Sequence, residues 1–222
     1  MRLLLGKFFL CCDESSRCRT HRYESCHWQA LRFFSNADIE AGPRSADARY
    51  VAQWAVASRD HKGLPFAIVD KKSAKLFVFA SSGRMVGAAP ALLGLAPGDH
   101  SVPGIGQRDP SQIQPNERTT PAGRFVSAPG RNLSGEDIVW VDYESGFAIH
   151  RVRPGDARER RQQRLASATP HDNRVSLGCV VVTVAFYESV VKPTLGTQRG
   201  VVYVLPETRP AREMFGASQA DM

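Results

Sequence analysis

The chain has 222 residues, enough to bury the core of one domain with additional segments, and its length does not call for two full domains. Hydrophobic residues make up 42% and charged residues 23% of it, close to globular averages, which excludes wholesale disorder and a polytopic membrane protein. The formal net charge of +7 favours anionic partners, without choosing among nucleic acid, anionic lipid and an acidic cell-wall polymer.

The N-terminal segment, residues 1–45, is predicted to be a poorly ordered arm. Its start, MRLLLGKFFLCC, resembles a secretory signal, but Lys7 divides the apolar run and no small-x-small cleavage site follows. The run is too short for a membrane-spanning helix, so no transmembrane span is expected. The arm carries metal-ligating residue types without C-x-x-C spacing, so no structural metal is expected. These residues are Cys11, Cys12, Cys18, Cys26, His21 and His27.

Residues 46–64 are predicted to form a short helix and a linker. Val51, Trp54, Ala55 and Ser58 share one face at helical spacing. From residue 65 to 205 short segments rich in valine, isoleucine and phenylalanine predict strands, with a hairpin turn at 81–83. The predicted strands are 66–69, 75–80, 84–87, 123–128, 138–143, 147–152, 179–182 and 201–205.

The segments between these strands differ from them in composition. Residues 96–118 are rich in proline and glycine and are predicted to form a surface flap, while the arginine-rich stretch 151–164 is predicted to be a solvated, partly helical loop. Thr183 is expected to cap a helix over 184–191 that Pro193 ends.

Residues 206–222 are predicted to be a polar, frayed tail. The fold class is therefore mainly β, sandwich-like or barrel-like, with one or two short helices.

The sharpest chemical motif is Ser-Leu-Gly-Cys at 176–179, which places a thiol where a turn enters a strand. Composition cannot decide whether Cys179 is a small buried hydrophobe or a reactive thiol. Gly178 permits close approach of the backbone to a bound group. The consecutive N–H groups of Leu177, Gly178 and Cys179 are candidates for stabilising the oxyanion of a tetrahedral intermediate.

A cysteine with an ordinary pKa needs a neighbouring imidazole or positive charge to act as a nucleophile. His150 follows the strand-like run 146–149, whose backbone would hold its ring, whereas His171 lies in a loop. His150 is therefore the preferred base. The alternative is that His150 is a half-buried, satisfied histidine and Cys179 a core residue. No phosphate-binding loop or serine nucleophile elbow is present, so no cofactor is expected.

Four motifs in order resemble the YkuD-type L,D-transpeptidase catalytic domain family over about residues 65–205. They are FAIVDKKSAKLFVF at 66–79, TPAGRF at 120–125, IH at 149–150 and SLGC at 176–179. The resemblance implies a β-rich sandwich in which a thiolate attacks an L,D-peptide bond of a peptidoglycan stem peptide and releases the terminal D-alanine. It makes Cys179 the nucleophile, His150 its base, the carbonyl of Arg151 the group that orients the imidazole, and Ser176 part of the orienting turn.

The sequence departs from that pattern at three positions. Leu177 stands where the family often has histidine, Arg151 where it often has glycine, and Val181 where it often has a polar arginine or asparagine. The substrate pocket is thereby changed. Arg174 and Arg151 are the candidates to bind a stem carboxylate in compensation, because guanidinium suits bidentate carboxylate recognition.

The resemblance leaves the acceptor open. A second stem amine, a lysine of an envelope lipoprotein, or water would give crosslinking, anchoring or hydrolysis, and an inactive peptidoglycan-binding module is the alternative from another class. The expected partners are stem peptides and such a lipoprotein, not nucleic acid. The expected location is the bacterial periplasm or cell envelope.

Overall fold

The computed structural model describes residues 45–216, whose main feature is a curled eight-stranded sheet. The strands along the chain are β1 (Phe66–Asp70), β2 (Lys75–Phe79), β3 (Met85–Pro90), β4 (Leu93–Gly94), β5 (Gly123–Arg131), β6 (Asp137–Asp142), β7 (Phe147–Arg151), β8 (Arg174–Ser176), β9 (Val180–Val182) and β10 (Gly200–Val204). The α-helical segments are α1 (Ala46–Ala57), α2 (Arg161–Ala166), α3 (Val184–Phe186) and α4 (Lys192–Leu195). The prediction of a mainly β fold with few short helices is confirmed.

The order of strands in the large sheet is β3, β2, β1, β10, β5, β6, β7, β9. The pairs β1–β10 and β7–β9 are parallel, and the other neighbours are antiparallel. Just beyond β3, Leu92 and Val181 of β9 exchange two backbone hydrogen bonds of 2.7 and 2.9 Å. Because this contact joins the two ends of the sheet, the sheet is nearly closed into a barrel.

Alternation along the strands places side chains on two sides of the sheet. In β1, Ala67 and Val69 face the main core inside the curl, and Phe66 and Ile68 face the outside. The inner core also receives Tyr187 and four further apolar side chains from the helical segment that follows β9, namely Phe186, Val190, Val191 and Leu195. Strands buried on both faces read as continuous apolar runs, which is why they could be recognised in the sequence.

Helix α1 covers the outer face of β1 and β10 with Val51 and Ala55 of the predicted apolar stripe, while Ser58 of that stripe is exposed after the end of the helix. Ser45 caps it by accepting the amide of Ala48 at 3.1 Å, and Val51 and Ala55 are fully buried. The chain after β10 returns to this helix, where Phe215 is only 2% exposed. Ala211 and Phe215 are thus buried against α1, which differs from the predicted frayed tail, although most of the other residues in 207–216 are exposed.

The helix after β9 begins as predicted but continues further. Thr183 accepts the amide of Phe186 at 3.3 Å. A π-helical turn, Tyr187–Val191, then leads into α4. Pro193 is the second residue of α4 and the helical segment continues through it, so the expectation that it ends the helix is wrong. The helical segment ends at Gly196, whose amide bonds to Lys192.

Residues 96–118, called the flap below, have the loop character that the sequence predicts, with 3₁₀ turns at Ile105–Gln107, Pro110–Gln112 and Pro115–Glu117. Residues 151–164 are partly helical as expected, because α2 begins within them. The short strands β4 and β8, which pair with each other, have too few residues to give a sequence signal.

The expectations for the N-terminal arm lie outside the described residues. They concern the signal-like start, Cys11, Cys12, Cys18, Cys26, His21 and His27. Residues 217–222 of the predicted tail also lie outside. Within 45–216, no helix has both the length and the apolar character that crossing a membrane requires.

Candidate active site

Hydrogen bonds within residues 176–179, called the SLGC turn below, fix the position of Cys179. Ser176 Oγ donates to the carbonyl of Cys179 at 2.6 Å and accepts the amide of Gly178 at 3.1 Å. Gly178 has a φ of +136°, and a Cβ there would lie 2.9 Å from the carbonyl oxygen of Thr119. The dihedral angle and the close approach both require glycine at this position.

Thr120 braces the same turn from the neighbouring segment. Its hydroxyl donates to the carbonyl of Gly178 and accepts the amide of Gly94, both at 2.8 Å. The side chain is completely buried, so these bonds are not shared with bulk water. The threonine of the TPAGRF motif therefore acts on the backbone of the turn, a scaffold contact.

The Cys179 thiol is half-buried and donates to the carbonyl of Gly146 at 3.5 Å. Burial raises the pKa of this thiol. A backbone hydrogen bond from Ala148 and the charges of Arg153 and Arg161 act in the opposite direction, but they do not outweigh burial. In the unliganded protein the thiol is therefore protonated at neutral pH.

His150 is the penultimate residue of β7, and its Nδ1 lies 2.8 Å from the carbonyl oxygen of Arg151. A carbonyl only accepts, so Nδ1 carries the proton and Nε2 of the neutral ring is left as an acceptor. Burial is the main reason that the pKa of His150 falls to about 4, and the charges of Arg153 and Arg161 lower it further. The ring is neutral at pH 7, the state that a base requires.

Strand register brings the thiol and the imidazole to one face. In the parallel pair β7–β9, Ile149 lies opposite Val180 and His150 opposite Val181. Ile149 and Val180 face the main core, so His150 and Cys179 face the other side. Strand spacing then sets their Cα atoms roughly 8 Å apart. Within residues 45–216 no hydrogen bond joins the two side chains, since the thiol is bonded to Gly146 instead.

A cavity of about 150 Å³, called the thiol cavity below, lies against Cys179. Its walls come from the SLGC turn, from the flap through Ile105 and Ile113, and from the start of β7 through Phe147. Gly106 seats the flap on the β6–β7 turn, because a Cβ there would lie 2.2 Å from the carbonyl oxygen of Glu144. The flap that the sequence predicts is therefore one wall of the candidate site.

The proposed oxyanion donors need one correction. The amide of Gly178 is already bonded to Ser176 Oγ within the turn. Its N–H therefore does not point to a bound oxyanion, and its place in the site is conformational. The N–H groups of Leu177 and Cys179 stay as the candidate donors, and Leu177 also lines the thiol cavity with its side chain.

The arginines expected to bind a substrate carboxylate are engaged elsewhere. Arg174 forms an ion pair with Glu207 and donates to the carbonyl of Lys71 at 3.3 Å. The Arg151 side chain donates to Glu188 at 3.1 Å and lies over the ring of Tyr187. Both predictions are corrected, because each guanidinium is bound to a carboxylate of the chain itself. Arg151 contacts His150 through its backbone carbonyl.

The alternative base, His171, is exposed in the 3₁₀ turn Pro170–Asn173. In the described part of the chain no hydrogen bond joins it to Cys179. The structure therefore brings His150, and not His171, to the strand beside the thiol.

A buried ionic cluster behind the SLGC turn was missed by sequence reasoning. Lys71 Nζ contacts Asp99 Oδ1 at 2.8 Å and the carbonyl of Thr120 at 3.0 Å, and Glu207 lies 3.7 Å away. Burial lowers the pKa of Lys71. Burial opposes ionisation of Asp99 as well, but hydrogen bonds from Lys71 and Thr208 outweigh it and lower the pKa. No local sequence motif could have predicted this cluster, because its members are far apart in the sequence.

No protein-family model matches the sequence, and no curated protein matches it. Solved structures match in part. The helical cell shape determining protein Pgp2 from Campylobacter jejuni is 13% identical with a TM-score of 0.42, over 66% of this chain and 49% of that one. The chain thus spans about half the length of the Pgp2 structure.

Two further structures match to a similar extent. An L,D-transpeptidase from Xylanimonas cellulosilytica is 18% identical with a TM-score of 0.38, over 76% of this chain and 68% of that one. The NMR structure of the catalytic domain from an E. faecium L,D-transpeptidase is 17% identical with a TM-score of 0.32, over 63% of this chain and 95% of that one. These values describe a partial similarity.

Proposed function

We propose that this chain carries out cysteine-dependent acyl transfer on peptidoglycan stem peptides, with Cys179 as the nucleophile and His150 as its base. One observation carries the proposal: His150 on β7 and Cys179, the residue directly before the adjacent strand β9, face the same side of the sheet, with a cavity against the thiol. The ordered resemblance of the sequence motifs supplies the substrate class.

In the proposed reaction the Cys179 sulfur attacks the carbonyl carbon of an L,D-peptide bond while the thiol proton moves to Nε2 of His150. The thiol must first turn from the carbonyl of Gly146 toward the imidazole, and such contacts often tighten only when substrate is bound. The tetrahedral intermediate then expels the D-residue as an amine, which takes its proton back from His150. A thioester at Cys179 results.

The surroundings of the pair support these steps. The hydrogen bond from Nδ1 to the carbonyl of Arg151 keeps the accepting nitrogen available and steadies the imidazolium that forms. The N–H groups of Leu177 and Cys179 are the proposed donors to the oxyanion, a stabilisation worth about 3 kcal/mol for a single donor. His150 would next deprotonate the acceptor, which is either an amine or water.

The experiment that tests the nucleophile is mass spectrometry after incubation with a carbapenem, a β-lactam that such thiols attack. We expect one inhibitor mass on the peptide containing Cys179, and none in a Cys179→Ala variant. A folded wild-type protein without the adduct would count against the proposal.

Product analysis of digested cell-wall sacculi then identifies the acceptor. New crosslinks indicate transfer to a second stem, attachment of a lipoprotein indicates transfer to its lysine, and loss of crosslinks indicates hydrolysis. Unchanged sacculi that nevertheless bind the protein would indicate a peptidoglycan-binding module without activity. Because its substrate lies there, we place the activity in the bacterial cell envelope.

A further inference from the structure

The walls of the thiol cavity carry almost no charge. Of the described residues that line it, Arg108 alone is ionised, and its guanidinium donates twice to Glu117, at 3.1 and 3.0 Å. No carboxylate lines the cavity in the described part of the chain. The one ion pair is therefore closed within the flap, and the cavity offers neither a free cation nor a free anion to a ligand.

Hydrocarbon side chains from three segments form most of the cavity surface. The flap supplies Ile105 and Ile113, the start of β7 supplies Phe147, and all three are at most 8% exposed. The SLGC turn supplies Leu177, which is 40% exposed and so borders both the cavity and the solvent. A hydrocarbon group bound in the cavity would remove apolar surface of Leu177 from water, which stabilises the complex.

The size of the cavity limits what it can hold. Its volume is about 150 Å³. An apolar cavity of about this volume accommodates a benzene ring. The thiol cavity therefore suits one side chain of the size of a phenyl ring or a four-carbon chain, and it is too small for a run of residues.

The position of the cavity relates it to one part of the substrate. The parallel register of β7 and β9 sets Cys179 level with Ala148. His150 lies two residues further along β7, whereas residues 145–147, which line the cavity, come before Ala148. The imidazole and the cavity thus lie on opposite sides of the thiol. In the proposed reaction the leaving amine takes its proton from His150, so the acyl part of the substrate extends toward the cavity.

We propose that the thiol cavity is a specificity pocket for an uncharged hydrocarbon side chain on the acyl residue, the residue whose carbonyl Cys179 attacks. This inference rests on the proposed function, which supplies that residue. Leu177 is a specificity-determining residue. A side chain that ends in an ammonium or a carboxylate is disfavoured, because its charge would lose water in the cavity without gaining a partner.

The first test needs no catalysis. An alkyl methanethiosulfonate reacts with a thiolate to form a disulfide with its alkylthio group and releases methanesulfinate, so Cys179 reports which alkyl groups enter the cavity. With the full chain, we expect the rate at Cys179, relative to that of 2-mercaptoethanol, to rise about two- to fourfold for each methylene from methyl to butyl. The 2-carboxyethyl and 2-aminoethyl reagents should both lose this gain. Mass spectrometry of the unreduced Cys179 peptide measures the rates.

Variants identify the wall that gives the gain. Leu177→Ala should lower it to less than about twofold for each methylene, and Leu177→Lys should favour the 2-carboxyethyl reagent, because it adds a cation beside the thiol. Ile113→Ala should shift the best reagent to a longer chain, since it enlarges the cavity. Leu133→Ala is the matched control and should change nothing, because Leu133 is fully exposed and does not line the cavity.

The second test uses two stem tetrapeptides that carry norleucine or lysine directly before the terminal D-alanine. These side chains have the same four carbons and differ only in the terminal ammonium. We expect kcat/KM for release of D-alanine to be at least about tenfold higher for the norleucine peptide. Leu177→Ala should remove most of this difference.

The inference is overturned by equal rates with neutral and charged reagents, or by a chain-length gain that Leu177→Ala leaves intact. Release of D-alanine with the lysine peptide preferred also overturns it, and leaves the proposed function standing. A chain-length gain at Cys179 without release of D-alanine and without a carbapenem adduct contradicts the proposed function. It thereby overturns the assignment of the pocket to an acyl residue as well.

Discussion

At the scale of single residues, burial favours the neutral form of both members of the candidate pair, Cys179 and His150. It raises the pKa of Cys179 and lowers that of His150 to about 4, so both groups are neutral at pH 7. The resting protein therefore holds a thiol and an imidazole, not a thiolate and an imidazolium. Proton transfer belongs to the attack on substrate, and His150 would act as a general base.

This charge state predicts how Cys179 reacts with iodoacetamide. The rate should rise with pH, with a midpoint above the ordinary thiol pKa of about 8.5, because the protonated thiol is the favoured form in the fold. Arg161→Gln should move the midpoint to higher pH, since removing a cation destabilises the thiolate. Mass spectrometry of the Cys179 peptide measures this site separately from the other cysteines.

Arg158→Gln is the control for that experiment and should move the midpoint less. A rate that has already reached its plateau below pH 7 would contradict the neutral pair. So would a shift to lower pH in Arg161→Gln, because the charge of Arg161 lowers the thiol pKa.

At the scale of elements, the SLGC turn depends on one glycine and one threonine from different segments. Gly178 takes a dihedral angle that other residues rarely adopt, and Thr120 bonds to its carbonyl. The turn is thereby held against β4 and against the segment before β5. Its geometry comes from packing between segments as well as from its own sequence.

Gly178→Ala should destabilise the protein by about 3 kcal/mol, since it combines backbone strain with a contact of 2.9 Å to the carbonyl of Thr119. Gly135→Ala is the matched control, because Gly135 also has a positive φ but has no atom within 4 Å of an added Cβ. Its cost should be about 1 kcal/mol. Urea unfolding of both variants measures the difference, and equal costs would show that the close approach is relieved cheaply.

The sequence predicts strands and helices well where burial on one or both faces leaves a regular pattern of apolar residues. Strands such as β1 and β10 are buried on both faces and read as apolar runs, and α1 shows a helical stripe with a serine cap. The π-helical turn before Pro193 could not be predicted from the sequence, since it depends on how Tyr187 and Val191 pack in the main core. Arg174 was misassigned because its partner, Glu207, lies on a distant segment.

At the scale of the molecule, the buried cluster ties together segments that are distant along the chain. Lys71 follows β1, Asp99 belongs to the flap, and Glu207 follows β10. Lys71 also bonds to the carbonyl of Thr120, next to the brace of the SLGC turn. The flap and the turn are thus fixed to the sheet through one ammonium group.

Lys71→Met should destabilise the protein by about 3 to 5 kcal/mol, because it leaves the buried carboxylate of Asp99 without its cation. Lys72→Met is the matched control. Lys72 pairs with Asp47 at the surface, with half of its side chain exposed, so its loss should cost less than about 1 kcal/mol. Chemical denaturation measures both, and similar losses would mean that the cluster does not hold the segments together.

The position of β10 has a consequence for how the chain assembles. It follows every other strand in the chain, yet it lies between β1 and β5 in the sheet. As a nascent chain leaves the ribosome, the earlier hairpins can form but have no central strand to join them. The parallel pairing of Phe66 with Val201 closes a very long loop, which slows folding. The sheet is therefore completed only after almost all of its sequence has been synthesised, and the chain stays open until then.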